Sequence, residues 1–232
     1  MKKNSLLNLF QELGVENFYQ KSPVVRLTKK NTRRTSDNKA LATCKTLEEL
    51  RALVEAFDGC ELKKAAQNTV FGEGNPEAKI LVLGEAPGAK EDEEGRPFCG
   101  QSGQLLDKAL GALGLSRDKN LYITNSLFWR PPANRKPTPE ELALCKPFLE
   151  KHLALIKPDL ILLVGATALE ALLGITTPIT KLRGQYFDYT NPFLEKPITA
   201  TPIFHPSYLL RQPGHKKTLW FDLLKIKKDF CL

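Results

Sequence analysis

No stretch of this 232-residue chain stays apolar for anything near the ~18 residues that a membrane-spanning helix needs. The first ten residues, Met1 to Phe10, hold two lysines but turn polar too early for a secretory leader. Cysteine is sparse and unpatterned: Cys44, Cys60, Cys99, Cys145 and Cys231 make an odd number without tight spacing. That excludes a disulfide scaffold and sets the expectation of a reducing, cytoplasmic compartment. No internal repeat is visible. Net charge is also missing from most of the chain, because of the total of +8 the first 46 residues carry ten Lys/Arg against three Asp/Glu and the remainder is nearly balanced. Such a basic arm attracts phosphate-bearing partners, or serves only as a solvated tail; from charge alone the tail is the simpler reading.

The length suffices for one well-buried domain with some chain left over. Residues 4–19 carry a weak helical pattern (Leu6, Leu7, Phe10, Leu13, Phe18), and residues 20–45 read as a linker, polar and aperiodic around 29–38. The expected domains are therefore an arm over 1–45 and a globular unit over 46–232. That unit opens at Thr46, where Thr-Leu-Glu-Glu49 forms a capping box for a helix to about Phe57. Strand candidates at 79–84, 120–125, 159–165 and 198–204 then alternate with helix candidates at 102–113, 138–156, 166–173 and 216–228. Ser102 and Thr138 suit N-caps, and Pro139 suits the first helical position. The alternation predicts an α/β fold: three layers, α/β/α, around a mostly parallel four-stranded sheet.

Polar groups cluster where three of these strands end. Ile80-Leu-Val-Leu-Gly84 runs into Glu85-Ala86-Pro87-Gly88 and on to Gly95-Arg96-Pro97-Phe98; Tyr122-Ile-Thr-Asn125 leads to Arg130-Pro-Pro-Ala-Asn134-Arg135; Phe204-His205-Pro206-Ser207 leads to Leu209-Leu210-Arg211. Carboxyl ends of parallel strands are where ligands bind in such sheets. A strand, a Gly and an acid would alone be a weak signal; three such turns in one order are not.

Together these segments resemble the family 4 uracil-DNA glycosylases. GEAPG, GRPFxGxxGQLLD, ITN, RPPxNRxPTPEE and HPxxLLR occur in the family's order, and the likeness spans about Leu47 to Lys228. The resemblance implies a glycosylase-type fold, a substrate of uracil-containing DNA, and base excision that leaves an abasic site for downstream repair enzymes. No membrane partner is implied, and a monomer is expected.

Base excision needs a base turned out of the stack, held on its face, read along its edge and stabilised as it leaves. Phe98 can stack on the ring, though Phe is usually core. Asn125 can accept from uracil N3–H while donating to O4, a pattern cytosine reverses; by resemblance it is the base-reading residue. His205 can donate to uracil O2 as charge develops there, and a neutral imidazole suffices. Glu85 is the candidate for positioning water and stabilising the sugar cation, helped by Glu91 or Asn134. Glu91 stands in an acidic run, 91–94, of a kind usually solvated. Ala86 occupies the position of the water-activating acid in the related GQDPY motif and can activate nothing. Gly88 lies where bulkier residues in other families block the thymine methyl. Ser102 and Gln104 open a helix that can cradle phosphate. Arg130, Arg135, Ser207 and Arg211 are candidate phosphate contacts. Leu209 and Leu210 either wedge into the duplex or begin a buried helix. His152 and His215 fall on helical segments and read as structural.

Family 4 enzymes typically hold a [4Fe–4S] cluster on four cysteines. Here the four positions read Phe57, Cys60, Trp129 and Cys145, and neither Cys44 nor Cys99 fits the spacing. Two thiolates do not hold such a cluster, so no cofactor is expected, and the two rings are expected to fill its volume. No Lys is placed for a strand-cleaving Schiff base. The alternative function is a uracil-DNA binder without turnover, or one that crosslinks. The crosslinking branch carries a basic KRRIH-type insertion, which the Arg130–Arg135 segment lacks.

Overall fold

The computed structural model describes residues 40–231. The expected helix over 4–19 and the linker up to residue 39 lie outside the described residues. Residues 40–43 are helical, and Leu41 and Cys44 are buried in the core. The last residues read as linker therefore belong to the packed unit, because their apolar side chains find a cluster that polarity alone did not reveal.

Helix α1 (Leu47–Ala56) begins as expected at Thr46, whose side chain accepts from Glu49 N. The capping box is shifted at its other half: Glu49 Oε2 accepts from Lys45 N, one residue before the cap. A short α2 (Glu61–Ala65) precedes strand β1 (Glu73–Gly74). Then follow β2 (Ile80–Gly84), α3 (Ala89–Glu94), α4 (Gln101–Gly111), β3 (Leu121–Asn125), α5 (Pro139–Ile156), β4 (Leu160–Val164) and α6 (Ala166–Leu173). The chain closes with α7 (Ile179–Leu182), β5 (Phe187–Tyr189), β6 (Ile198–Ile203), α8 (Pro206–Arg211) and α9 (Lys216–Asp229).

The sheet has six strands in the order β1-β3-β2-β4-β6-β5. Its four central strands are the expected ones, and all are mutually parallel. The antiparallel edges β1 and β5 were not legible in sequence; Glu-Gly and Phe-Asp-Tyr are too short to show a period. Successive side chains of a strand point to opposite faces, and the two cores follow. Ile80, Val82, Ile123, Leu160 and Leu162 face α4, α8 and α9, whereas Leu81, Leu83, Tyr122, Ile161 and Leu163 face α5 and α6. A third cluster joins α1, α2 and α5 to Phe71 and the 127–129 segment. The result is the three-layer α/β/α arrangement. Because the central strands run one way, Gly84, Asn125, Val164 and Ile203 all end at the same edge of the sheet.

Candidate active site

A cavity of about 710 Å³ opens at that edge. It is lined by the turn after β2 (Glu85, Ala86, Gly88), by Glu91 and Phe98, by Asn125, by Asn134 and Arg135, and by His205, Ser207, Leu210 and Arg211. Three segments far apart in sequence thus meet in one pocket.

Asn125 is 2 % exposed at the end of β3, and its Nδ2 donor has no partner among the described residues. A buried amide donor without an acceptor costs on the order of 1–3 kcal/mol unless a ligand supplies one. Strand register fixes its neighbour: Gly84 pairs with Asn125 across β2 and β3. A Cβ on Gly84 would lie 2.3 Å from Asn125 Oδ1 and 2.5 Å from the Phe98 ring, so only a glycine lets amide and ring approach each other. Gly84 is thus a site residue that sequence reading took merely for the end of a strand.

Phe98 is buried and sits in the left-handed region, φ 52°, where a residue with a Cβ is strained by roughly 1–2 kcal/mol. Its ring lies 6.0 Å from that of His205, tilted by 31°. It is therefore both core, in the cluster facing α4, and cavity wall.

His205 ends the β6 segment and caps α8. Its Nδ1 accepts from Ser207 N at 3.1 Å and lies 2.7 Å from Ser207 Oγ. A backbone N–H can only donate, so the ring proton is on Nε2. Burial, with Arg211 nearby, lowers the imidazole to about 4, which keeps it neutral near pH 7. Ser207, a candidate DNA contact, fixes this tautomer. Gly165 follows β4 at φ +93°, and a Cβ there would be 3.1 Å from His205 Cβ, so the imidazole lies close over that turn.

The Glu85 carboxylate lines the cavity and has no hydrogen bond or ion pair among the described residues. Glu91 differs. Its Oε2 accepts from Gly88 N at 3.1 Å and its Oε1 from Gly100 N at 2.9 Å. It is a brace between the Glu85 turn and α4 rather than a solvated acid. Asp92, from the same acidic run, is 3 % exposed and accepts from Gln67 N and Asn68 N. Ala86 packs partly on the third cluster, and Gly88 leaves room only for the Glu91 carboxylate, 2.6 Å from a hypothetical Cβ.

Asn134, at φ 54°, is oriented by Arg130, whose Nε donates to Asn134 Oδ1 at 2.7 Å. Arg130 also lies 4.0 Å from buried Asp92 and does not line the cavity. The cation thus lies near a buried carboxylate, which burial otherwise penalises. Arg135 lines the cavity but is forked onto Glu141, at 2.5 and 2.9 Å. Helix α4 is capped by Gly100, not by Ser102; Ser102 lines the cavity, whereas Gln104 is exposed outside it. Segment 206–211 is helical, which separates its leucines: Leu209 is fully buried and Leu210 is 41 % exposed at the cavity mouth beside Arg211. His152 is structural, buried with Nε2 2.9 Å from Tyr122 Oη. His215 lies in a 3₁₀ turn before α9 rather than in a regular helix.

The residues at the cluster positions do not fit an iron–sulfur cluster. Phe57 stacks on Trp129 at 6.3 Å and packs on Phe148 at 4.9 Å. Its ring folds over Gly59, where a Cβ would lie 2.4 Å from it, and Trp129 Nε1 donates to Thr69 Oγ1. Cys60 and Cys145 are buried free thiols. Hydrogen bonding between them holds Cys145 above, and Cys60 below, the usual thiol range. Two sulfurs and two rings share the space, and among the described residues no three metal-binding side chains converge.

A parallel sheet whose strand ends bring together an unpartnered amide, an aromatic wall, a neutral imidazole donor and an unpaired carboxylate defines a base-excising type of α/β protein. Residues 71–224 match the family model described as the uracil DNA glycosylase superfamily. The chain is 44 % identical over 176 residues to a type-4 uracil-DNA glycosylase of Thermotoga maritima, covering 74 % of this chain and 88 % of that one. With the type-4 enzyme of Sulfurisphaera tokodaii it shares 37 % over 188 residues, 79 % and 84 % of the two chains. A type-5 uracil-DNA glycosylase of Thermus thermophilus matches at 43 %, but over only 45 % of this chain and 54 % of its own. The chain belongs to the uracil DNA glycosylase superfamily, and within it to the type-4 branch.

Proposed function

We propose that this domain hydrolyses the N-glycosidic bond of deoxyuridine in DNA, releasing uracil and leaving an abasic site, without an iron–sulfur cluster and without strand cleavage. The observation that carries this reading is the Asn125 Nδ2 donor, buried without a partner among the described residues at the wall shared with Phe98 and His205. Uracil O4 would satisfy it, and Oδ1 would accept from N3–H; cytosine would set donor against donor. Phe98 would stack on the extruded ring.

As the C1′–N1 bond breaks, its electron pair passes into the uracil ring. His205 Nε2–H, with its tautomer fixed by Ser207 and its charge suppressed by burial, donates to the developing O2 anion. The Glu85 carboxylate, on the cavity wall without a partner among the described residues, would orient the water that attacks C1′ and offset the positive charge on the sugar. Asn134 lines the same cavity, while Glu91 holds the turn in place. Arg211, Arg135 and the start of α4 around Ser102 would meet phosphates, with Leu210 at the mouth the residue suited to fill the gap left by the base.

The test is incubation of the protein, without added metal, with labelled oligonucleotides carrying one U or one T, followed by alkali. Cleavage only at U, lost in His205→Ala and shifted toward C in Asn125→Asp, supports the reading. Tight U-selective binding without cleavage would favour the non-turnover relative. Absence of both would overturn it.

A further inference from the structure

The strained Phe98 must be held by something, and the holder lies outside every motif of the site. Arg117, on the connection between α4 and β3, is mostly buried. Its guanidinium has five N–H donors, and each has an acceptor. Nη1 donates to Pro97 O at 2.5 Å and to Glu73 Oε2 at 3.0 Å. Nη2 donates to Phe98 O at 2.5 Å and to Asp107 Oδ2 at 3.1 Å, and Nε donates to Asp107 Oδ1 at 3.1 Å. Glu73, on the edge strand β1, is braced in turn by Arg96 at 2.6 Å. Gly103 also packs on the same carbonyl: a Cβ there would lie 1.7 Å from Phe98 O.

We propose that Arg117 is a positioning residue for base stacking: it fixes the Pro97 and Phe98 carbonyls and thereby sets the ring that would meet the extruded base. The assignment rests on the reading of Phe98 given above. Two adjacent carbonyls pulled onto one rigid fork, itself anchored on a helix and a strand, define the left-handed turn that aims the ring at the cavity. Lysine carries the same charge but cannot span two carbonyls and two carboxylates at fixed angles.

A role through Phe98 predicts non-additivity. In Arg117→Lys, kcat/KM for uracil release should fall about 10- to 100-fold, while affinity for a duplex carrying a tetrahydrofuran abasic analogue, which has no base to stack, stays within about twofold. In a Phe98→Ala background the same substitution should cost less than about twofold more. Equal losses in both backgrounds, or matching loss of abasic-analogue binding, would overturn the assignment and make Arg117 a general structural residue. If Arg117→Lys does not fold, Asp107→Asn takes its place, with a smaller loss that must likewise vanish with Phe98→Ala. Wild-type protein that releases no uracil would be seen before any variant is compared, and would overturn the functional reading together with this assignment.

Discussion

The base pocket and the Phe57–Trp129 region are built on opposite principles. The pocket is polar and incomplete: among the described residues Asn125 Nδ2 and the Glu85 carboxylate have no partner, and Phe98 is strained. The region around Trp129 is apolar and filled, with Phe57 stacked on Trp129 and tilted against Phe148 beside two buried thiols; its polar exception is His152, whose Nδ1 has no hydrogen-bond partner among the described residues. Chemistry fixes residue identity in the first, since only certain donors and acceptors can read and release a base. The second requires only that a volume be filled and a segment be held, so aromatic burial can replace metal–sulfur bonds.

The widest separation between the two is expected at His205. His205→Ala should reduce kcat by about 10²- to 10³-fold, the scale of a lost oxyanion donor, with a melting temperature close to wild type. Single-turnover release of uracil and a thermal melt measure both. Trp129→Ala should do the reverse: a loss of about 3–5 kcal/mol of stability, as for other large-to-small core changes, read by denaturant unfolding. Its rate per folded molecule should stay within a few-fold. A Trp129 variant that folds well but excises slowly would break the division between the regions.

The same division explains what the sequence could reveal. The four parallel strands were legible because each is a mostly apolar run ending in turn residues, and motif order singled out Glu85, Phe98, Asn125 and His205, which the structure brings to one cavity. Edge strands of two and three residues carry no period. Nor does composition show where a charged side chain is spent. Arg130 has internal partners in Asn134 and Asp92, Glu91 from an acidic run braces Gly88 to Gly100, and Ser207 bonds His205. Gly84 and Arg117 act by close approach and by long-range hydrogen bonds, across 41 residues between Gly84 and Asn125, and pairwise contacts of that kind leave no local pattern.

A smaller effect sharpens the comparison from the apolar side. If the rings stand where two ligands would, Phe57→Cys with Trp129→Cys should restore four thiols to one place beside Cys60 and Cys145. Anaerobic reconstitution with iron and sulfide should then produce a brown protein absorbing near ~400 nm with about four irons, while the wild type under the same treatment stays colourless. Uracil release by the reconstituted variant should stay within a few-fold, because the pocket does not depend on how the neighbouring volume is filled. Iron taken up by the wild type in stoichiometric amount would break the idea that aromatic packing has replaced a cluster.

The smallest effect comes from the one property the regions share, a buried neutral histidine. Burial lowers His205 to about 4 in the pocket and His152 to about 3 beside Phe71 and Phe128. Unfolded, both would take up a proton near the ordinary value of about 6.5. Between about pH 6.5 and 4 the unfolded chain therefore binds more protons than the native one, and stability must fall as the pH drops through that window. Each histidine contributes a slope of up to about 1.4 kcal/mol per pH unit. Removing the pocket histidine in His205→Ala should shallow the slope by about one histidine's share and leave that of His152. Uracil release by the wild type, needing only a neutral donor, should by contrast show no His205 titration between pH 8 and 5. A half-point near 6.5 in the rate would mean that the pocket does not suppress the imidazolium, and that its neutrality is not built by burial as it is at His152.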